Sequence, residues 1–148
     1  MEENDILLLM KDLCCRLPYG VIGHYYLNDS LEWGEPEKVL TVDLENERVY
    51  TDENVYDIEN FRPYLRPMSS MTEEEHEELL ERLPKYWSID IDKLGDLYFD
   101  IGDASYPDID LFADIIDWLN NHHFDYRGLI KKNLAICVTE YENPYKNI

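Results

Sequence analysis

The sequence is poor in the residues that several kinds of catalytic and metal-binding site require. Of its 148 residues only six are glycine and three are cysteine, and 13 basic residues are set against 33 acidic ones. Few glycines leave little room for a phosphate-binding loop, and no nucleophile elbow or paired-cysteine zinc motif is present. The odd number of cysteines, two of them adjacent at Cys14 and Cys15, predicts reduced thiols without a disulfide. This pattern favours a cytoplasmic location.

Long apolar runs are missing as well. The longest run, Ile6 to Met10, is far shorter than the roughly 20 residues that a membrane helix needs. Acidic residues flank it, whereas a secretory signal carries basic residues in that place. We therefore expect neither a membrane span nor an export signal.

Negative charge dominates the composition. The formal net charge is −20 at pH 7, and acidic residues occur along the whole chain. Such a surface repels the phosphates of nucleic acids and lipids, and it accelerates encounter with basic proteins. The charge therefore disfavours direct binding to nucleic acid or membranes and favours a basic protein as partner.

The remaining patterns predict an α+β domain, with a small, mostly antiparallel sheet and at least three helices. The length suits a single domain, 1–148. Alternation in the β-rich first half is also compatible with a barrel-like sheet. Apolar periodicity and turn residues predict helices over 5–16, 73–83, 108–121 and 125–132, and strands over 21–27, 38–44, 48–51, 96–101 and 134–139.

Particular residues sharpen this prediction. Asn4 or Asp5 is the expected N-cap of the first helix, and Thr72 with Glu75 forms a capping-box pattern. In the strand over 38–44, alternation places Leu40, Val42 and Leu44 on one face. In the helix over 108–121, the residues expected to face the core are Ile109, Phe112, Ile116 and Leu119.

The segment 61–67 contains two prolines, Pro63 and Pro67, which lack backbone donors. It is predicted to be a rigid connector. A subdivision of the domain near 62–67, into a β-rich first half and a helix-rich second half, is the one boundary that the sequence allows.

Three blocks of sequence carry a resemblance to known proteins. They are 13–21, which contains LPYGV, 62–72, RPYLRPMSSMT, and 122–130, HHFDYRGLI. The blocks resemble a family of small acidic proteins encoded by gut bacteria and by their phages and prophages. That family often has glycine where this chain has Asn133. The resemblance implies a mobile-element setting and brings no catalytic residues with it.

Two histidines and a carboxylate are close in sequence at His122, His123 and Asp125. These side chains are the types that bind metal ions or act as general bases in a small hydrolase. Adjacent side chains on a helix diverge by about 100 degrees. A role at the negative C-terminal end of the preceding helix is therefore the favoured interpretation.

Two further motifs are weak. Cys14 and Cys15 lie at the C-terminal end of a helix, where a thiolate is not stabilised, and Cys137 fits core packing. Asp90, Asp92, Gly95 and Asp96 partly match a calcium loop, but Leu94 and Ile101 stand where oxygen ligands are needed. No cofactor and no metal site is predicted.

The most distinctive feature is a series of aspartates with one basic residue, Lys93, among them. Carboxylates three or four residues apart on a helix are separated by about 6 Å, near the spacing of successive phosphates, so nucleic-acid mimicry is geometrically allowed. We hypothesise a partner-binding face formed by Asp90, Asp92, Asp96, Asp100, Asp103, Asp110, Asp114 and Asp117. The alternative is an acidic surface that only solvates the protein and keeps it monomeric.

The sequence favours a non-enzymatic protein-interaction module, in the form of an anti-defence factor that occupies the basic groove of a host protein. Exposed tyrosines would supply aromatic anchors for such an interface. A small hydrolase that uses a metal or the His122, His123 and Asp125 side chains is the alternative from another class. A structural or regulatory subunit is the third option.

Overall fold

The computed structural model describes residues 1–31, 33–85, 87–100 and 109–145. Within these ranges three helices and a mostly antiparallel set of strands confirm the α+β class. In chain order the elements are α1 (Glu3–Arg16), β1 (Ile22–Tyr25), β2 (Glu37–Asp43), β3 (Arg48–Thr51), β4 (Val55–Asp57), β5 (Phe61–Leu65), α2 (Glu73–Glu81), β6 (Ser88–Ile91), β7 (Leu97–Asp100), α3 (Ile109–Asn121) and β8 (Ile136–Cys137).

Six strands form an open sheet in the order β4-β3-β2-β1-β5-β8. Neighbouring strands are antiparallel except for β5 and β8, which are parallel. Because β4 and β8 lie at opposite edges, the sheet is not closed, and the barrel-like arrangement was wrong. The strands β6 and β7 form a separate antiparallel hairpin.

The helix α1 covers one face of the six-stranded sheet. Its apolar stripe is confirmed, with Leu9 and Leu13 fully buried in a cluster that includes Val39, Val49 and Phe61. The helix starts two residues earlier than predicted, and no side chain caps it. Instead, acidic side chains in its first turn stabilise the helix by interacting with the positive end of its dipole.

The alternation predicted for β2 is interrupted by a bulge. The register with β3 shifts between Val39 and Thr41, which inserts one residue and reverses the faces that follow. Val39 and Val42 therefore face the core, whereas Leu40 and Leu44 are 56% and 59% exposed. The prediction that Leu40, Val42 and Leu44 share a face was wrong, because the bulge separates Leu40 from Val42 and Leu44 lies beyond the end of β2, in the turn that follows.

The predicted connector is an internal strand, β5, and all five of its residues are buried. Pro63 is tolerated because of its register. The Tyr26 amide donates to the Asn60 carbonyl at 2.8 Å, and Pro63 lies opposite Gly23, so alternation directs the missing donor of Pro63 away from β1. On that side β8 pairs only from Tyr64 onwards, and no ladder hydrogen bond is lost.

A second hydrophobic cluster lies among α2, the hairpin and α3. The capping box that begins α2 is confirmed in both directions. The face that α3 buries is formed by Ile115, Trp118 and Leu119. Of the residues predicted to face inward, Leu119 does so.

The other predicted core residues of α3 lie at or outside the margin of this cluster. Ile109 is 85% exposed, and Phe112 and Ile116 are each 36% exposed. The cause is a rotation of the buried face, because the indole of Trp118 is directed toward α2, where its Nε1 donates to Glu78 at 3.0 Å.

The segment 125–132 forms an irregular bend followed by turns from residue 129 onwards, rather than the predicted helix. The Asp125 carboxylate accepts hydrogen bonds from the amides of Leu129 and Ile130, at 2.8 and 2.9 Å, and this fixes the turns. Asn133 has a φ of 58°, a left-handed conformation that asparagine tolerates. The final strand is shorter than predicted and comprises the two residues of β8.

The chain passes between the two clusters twice. It leaves the first cluster after Leu65, forms the second between Met68 and Phe124, and returns with Leu129 and Leu134. The subdivision near 62–67 stays a prediction. None of the helices in the described ranges combines the length and apolar character that a membrane crossing requires.

Candidate functional site

The hairpin carries part of the predicted acidic face on its outer side. Asp90 pairs with Tyr98 across the strands, and Asp100 pairs with Ser88. These side chains are exposed, and Tyr98 donates to Asp90 Oδ2 at 3.2 Å. The intervening residues, among them Ile89 and Phe99, belong to the second cluster with α3. Since side chains alternate along a strand, Asp90 and Asp100 are directed away from α3.

The turn of the hairpin explains the weak calcium motif. Asp92 Oδ1 accepts hydrogen bonds from the amides of Leu94 and Asp96, both at 2.9 Å. Gly95 has a φ of 84°, which glycine adopts without strain. The aspartate and glycine of the motif thus form a β-turn. Asp96 forms an ion pair with Lys131 at 3.4 Å.

The helix α3 carries the other part of the predicted face. Asp110, Asp114 and Asp117 follow at helical spacing and are exposed, on the side away from Ile115 and Leu119. Asp114 forms an ion pair with Arg82 at 3.2 Å. Asp103 lies outside the described residues.

Asp117 lies beside α1. Partial burial and a hydrogen bond from the hydroxyl to the Asp117 carboxylate raise the pKa of Tyr19. This carboxylate therefore already has a polar partner within the chain.

The predicted residues are consequently divided between two surfaces. We call Asp90, Asp92 and Asp100 the hairpin patch, and Asp110, Asp114 and Asp117 the helix patch. The inner side of the hairpin packs against α3, so the two patches do not form one plane.

A further acidic surface, on α2, was not among the predicted site residues. The helix has the sequence EEEHEELLE, without lysine or arginine, and its exposed glutamates are Glu73, Glu74, Glu77, Glu78 and Glu81. Contacts from Glu78 to Trp118 and from Arg82 to Asp114 place α2 antiparallel to α3. The run of glutamates is the sequence signal that could have identified this surface.

An apolar cleft with a volume of about 290 Å³ lies between the hairpin and α3. Its walls include Leu97 and Phe99 from β7 and Phe112 and Ile116 from α3. Asp96 and Asp125 also line it, and both border a smaller neighbouring cavity. Two carboxylates thus lie at this apolar cleft.

The residues of the histidine-rich block have structural roles. His122 Nδ1 lies 2.9 Å from the Trp118 carbonyl, and its ring stacks on the Trp118 indole at 4.1 Å. This matches the helix-terminus role expected of it. Burial raises the pKa of the Asp125 carboxyl, although the amides of Ile130 and Leu129 oppose this shift.

His123 is buried and has a φ of 63°. Its ring stacks on Tyr145 with centroids 3.6 Å apart, and among the described residues Nδ1 has no hydrogen-bond partner. Burial, together with the charges of Arg16 and Arg66, lowers the pKa of this imidazole to about 4. His123 is thus neutral and packed near neutral pH.

The three thiols lie in different environments. Burial and the neighbouring Cys15 raise the pKa of Cys14, which disfavours the thiolate. Cys15 is exposed, 3.5 Å from Arg127 Nη2. Cys137 is buried in β8, as its sequence pattern predicts.

The three blocks 13–21, 62–72 and 122–130 meet in the interior. Arg16 is fully buried and donates to Asp12 at 2.7 Å and to the Phe124 carbonyl at 2.7 Å. The guanidinium of Arg66 lies 4.2 Å from the centroid of the Phe124 ring, and it donates to both oxygens of Glu75 at 2.7 Å. One residue from each block thus contributes to a single polar junction between the two hydrophobic clusters.

Comparison of the chain with protein-family models, with curated proteins and with solved structures finds no match. Within the described residues no group of three or more histidine, cysteine, aspartate or glutamate side chains is arranged to hold a metal ion. The candidate site is therefore defined by its surface: the two acidic patches, the glutamates of α2 and the apolar cleft.

Proposed function

We propose that the protein is a non-enzymatic interaction module that binds a basic protein in the cytoplasm. The observation that carries this proposal is the concentration of exposed carboxylates on α2, α3 and the hairpin. Three elements of one cluster present them. The net charge of −20 extends the attraction beyond the contact surface, and such a field raises association rates more than it slows dissociation.

The surface supports general recognition of a basic protein better than close imitation of a phosphate backbone. A phosphate mimic needs a continuous array of uncompensated charge, whereas Asp114 and Asp96 are paired with Arg82 and Lys131. Occupation of the nucleic-acid groove of a host protein is one form of the proposed function, and it suits the mobile-element setting that the resemblance implies.

The hydrolase alternative draws less support from the geometry. His122 contacts a helix carbonyl, His123 is packed against Tyr145, and the Asp125 carboxylate accepts two backbone amides. These interactions hold each side chain in a structural role. A structural subunit would present the same acidic surface, and identification of the partner separates it from an inhibitor.

The test begins with affinity capture from a host lysate and mass spectrometry, followed by measurement of association kinetics with the recovered partner. Two variants each remove two charges: D90N/D100N in the hairpin patch and D110N/D117N in the helix patch. Because the patches point in different directions, one of these variants should slow association several-fold more than the other. Rising salt should slow association of the wild-type protein, since the Debye length falls to about 8 Å at physiological ionic strength.

A matched control removes two charges elsewhere. Glu45 and Glu53 lie in the turns that follow β2 and β3, so E45Q/E53Q lowers the net charge equally and leaves both patches intact. The proposal fails if the association rate is independent of salt and of both patch variants, or if E45Q/E53Q slows association as much as they do.

A further inference from the structure

Within the described residues β7 pairs with β6 along one edge, and no strand pairs with its other edge, which is called the open edge here. The Asp92 amide donates to the Asp96 carbonyl at 2.9 Å, and Asp90 lies opposite Tyr98. Hydrogen-bonded pairs alternate with non-bonded pairs in an antiparallel ladder. The amide and carbonyl groups of Leu97 and Phe99 therefore point away from β6.

The opposite edge supports this register. By the same alternation the backbone amide and carbonyl of Ile89 point away from β7. The Ile89 carbonyl lies 3.3 Å from Nε2 of His76 on α2. This backbone group of the β6 edge thus has a partner on α2. In the part of the chain that the structure describes, the backbone groups of Leu97 and Phe99 have no such partner.

The open edge runs along the apolar cleft. The side chains of Leu97 and Phe99 form one wall, and those of Phe112, Ile115 and Ile116 on α3 form the other. An extended segment hydrogen-bonded to β7 would place every second side chain over this cleft. The volume of about 290 Å³ is sufficient for aliphatic side chains. Groove and strand edge together form the geometry used for strand addition between proteins.

Charge decides which occupant fits. Asp96 and Asp100 lie at the two ends of β7 and are exposed, and Asp125 lines the cleft. Lys131 pairs with Asp96. A second copy of the chain would bring the same carboxylates and its own charge of −20 to the edge. A basic segment is attracted to it.

We propose that β7 and the adjoining cleft bind an extended segment of the partner, in which aliphatic residues enter the cleft and lysine or arginine residues flank them. This rests on the proposed function and deepens it, because it names the conformation and chemistry of the bound segment. The backbone of Leu97 and Phe99 supplies the hydrogen bonds, and Asp96 and Asp100 attract the basic side chains.

The probe is a seven-residue peptide in which lysine alternates with valine and leucine. It is titrated into isotope-labelled protein and followed by amide chemical shifts in NMR spectra. Four derivatives are compared: the parent, a form with acetylated lysines, a form N-methylated at the aliphatic residues, and a form N-methylated at the lysines. Alternate amides of a strand point to opposite sides, so strand addition makes the two methylation patterns unequal.

We expect the parent to bind and to shift the Leu97 and Phe99 amides. One methylated form should bind at least about tenfold more weakly than the other, because two hydrogen bonds are lost. The acetylated form should bind more weakly, and salt should weaken the parent. I116K should abolish binding, whereas L40K, which adds the same charge at an exposed aliphatic residue of β2, should not.

The outcomes separate the inference from the function it rests on. If acetylation abolishes binding but the two methylation patterns weaken it equally, strand addition is overturned and the proposed binding of a basic partner still holds. If the two methylation patterns have unequal effects and acetylation has none, strand addition along the cleft is supported and the proposal of a basic partner is overturned. Absence of binding by the parent at millimolar concentration and low salt overturns the inference. A dimer in sedimentation equilibrium that I116K dissociates would identify a second copy as the occupant and overturn it too.

Discussion

The buried imidazole of His123 should make the stability of the protein depend on pH between 4 and 6.5. The ring is 6% exposed and stacks on Tyr145, and burial near Arg16 and Arg66 lowers its pKa to about 4 from an ordinary value of 6.5. The unfolded chain therefore binds a proton at a pH where the folded chain does not. The stability that the neutral imidazole contributes is therefore fully present above pH 6.5, and it is lost as the pH falls toward 4.

The magnitude follows from the two pKa values. At pH 7 the unfolded imidazole is mostly neutral, and the difference between the states is small. At pH 5 the unfolded imidazole is almost fully protonated while the folded one is mostly neutral, which costs about 2 kcal/mol of the free energy of unfolding. For a protein of ordinary stability this is a large fraction of the total.

The assay is urea unfolding, followed by tryptophan fluorescence at pH 7, 6 and 5, for the wild type and for H123N. Asparagine tolerates the left-handed backbone of this position and carries no titratable group. H123N should be less stable at pH 7, because the stack on Tyr145 is lost, and it should lose about 2 kcal/mol less than the wild type on going to pH 5.

The control is I115V, a deletion of one buried methyl group that should cost about 1 kcal/mol without altering ionisation. It should retain the pH dependence of the wild type. An H123N protein with the wild-type pH dependence would refute the reasoning, and so would an imidazole pKa near 6.5 for His123 in an NMR titration of the folded protein.

Two further predictions concern the junctions of the fold. G23A should destabilise the protein by about 1–3 kcal/mol in urea unfolding, because the added methyl group collides with the ring of Phe61 and with the Arg62 carbonyl at 2.7 Å. If G23A costs as much in the F61L background as in the wild type, a collision with Phe61 is contradicted. Burial opposes ionisation of Glu75, but hydrogen bonds from Arg66 and from the Thr72 amide lower its pKa to about 2. E75Q should therefore lower the free energy of unfolding by about 1–3 kcal/mol at pH 7. The wild type should lose stability as the pH falls from about 4.5 to 2, and E75Q should not show this loss. E77Q on the exposed side of α2 is its control, and equal losses in E75Q and E77Q would count against the buried pair.

Local patterns predicted the elements whose cause is local. The capping box of Thr72 and Glu75 identified the start of α2, since both partners lie within one helical turn. The α+β class followed from the same periodicities, which is why it is confirmed although several boundaries moved.

The fate of segment 61–67 depended on contacts distant in sequence. Two prolines predict a connector, yet the segment is an internal strand. This is possible because the register with β1 places Pro63 at a position where no backbone N–H donor is needed. No pattern within the segment contains that register. The bulge in β2, which turned Leu40 outward, was equally a property of its pairing with β3.

The sequence by itself determined the abundance of carboxylates, their helical spacing on α3 and the glutamate run of α2. Only the tertiary structure decided which of them share a surface. Packing of the hairpin against α3 directed Asp90 and Asp100 away from Asp110, and folding brought Arg82 to Asp114 and Lys131 to Asp96. Charge is a property of residues, whereas a binding face depends on the relative orientation of elements, which is fixed by the hydrophobic contacts between them.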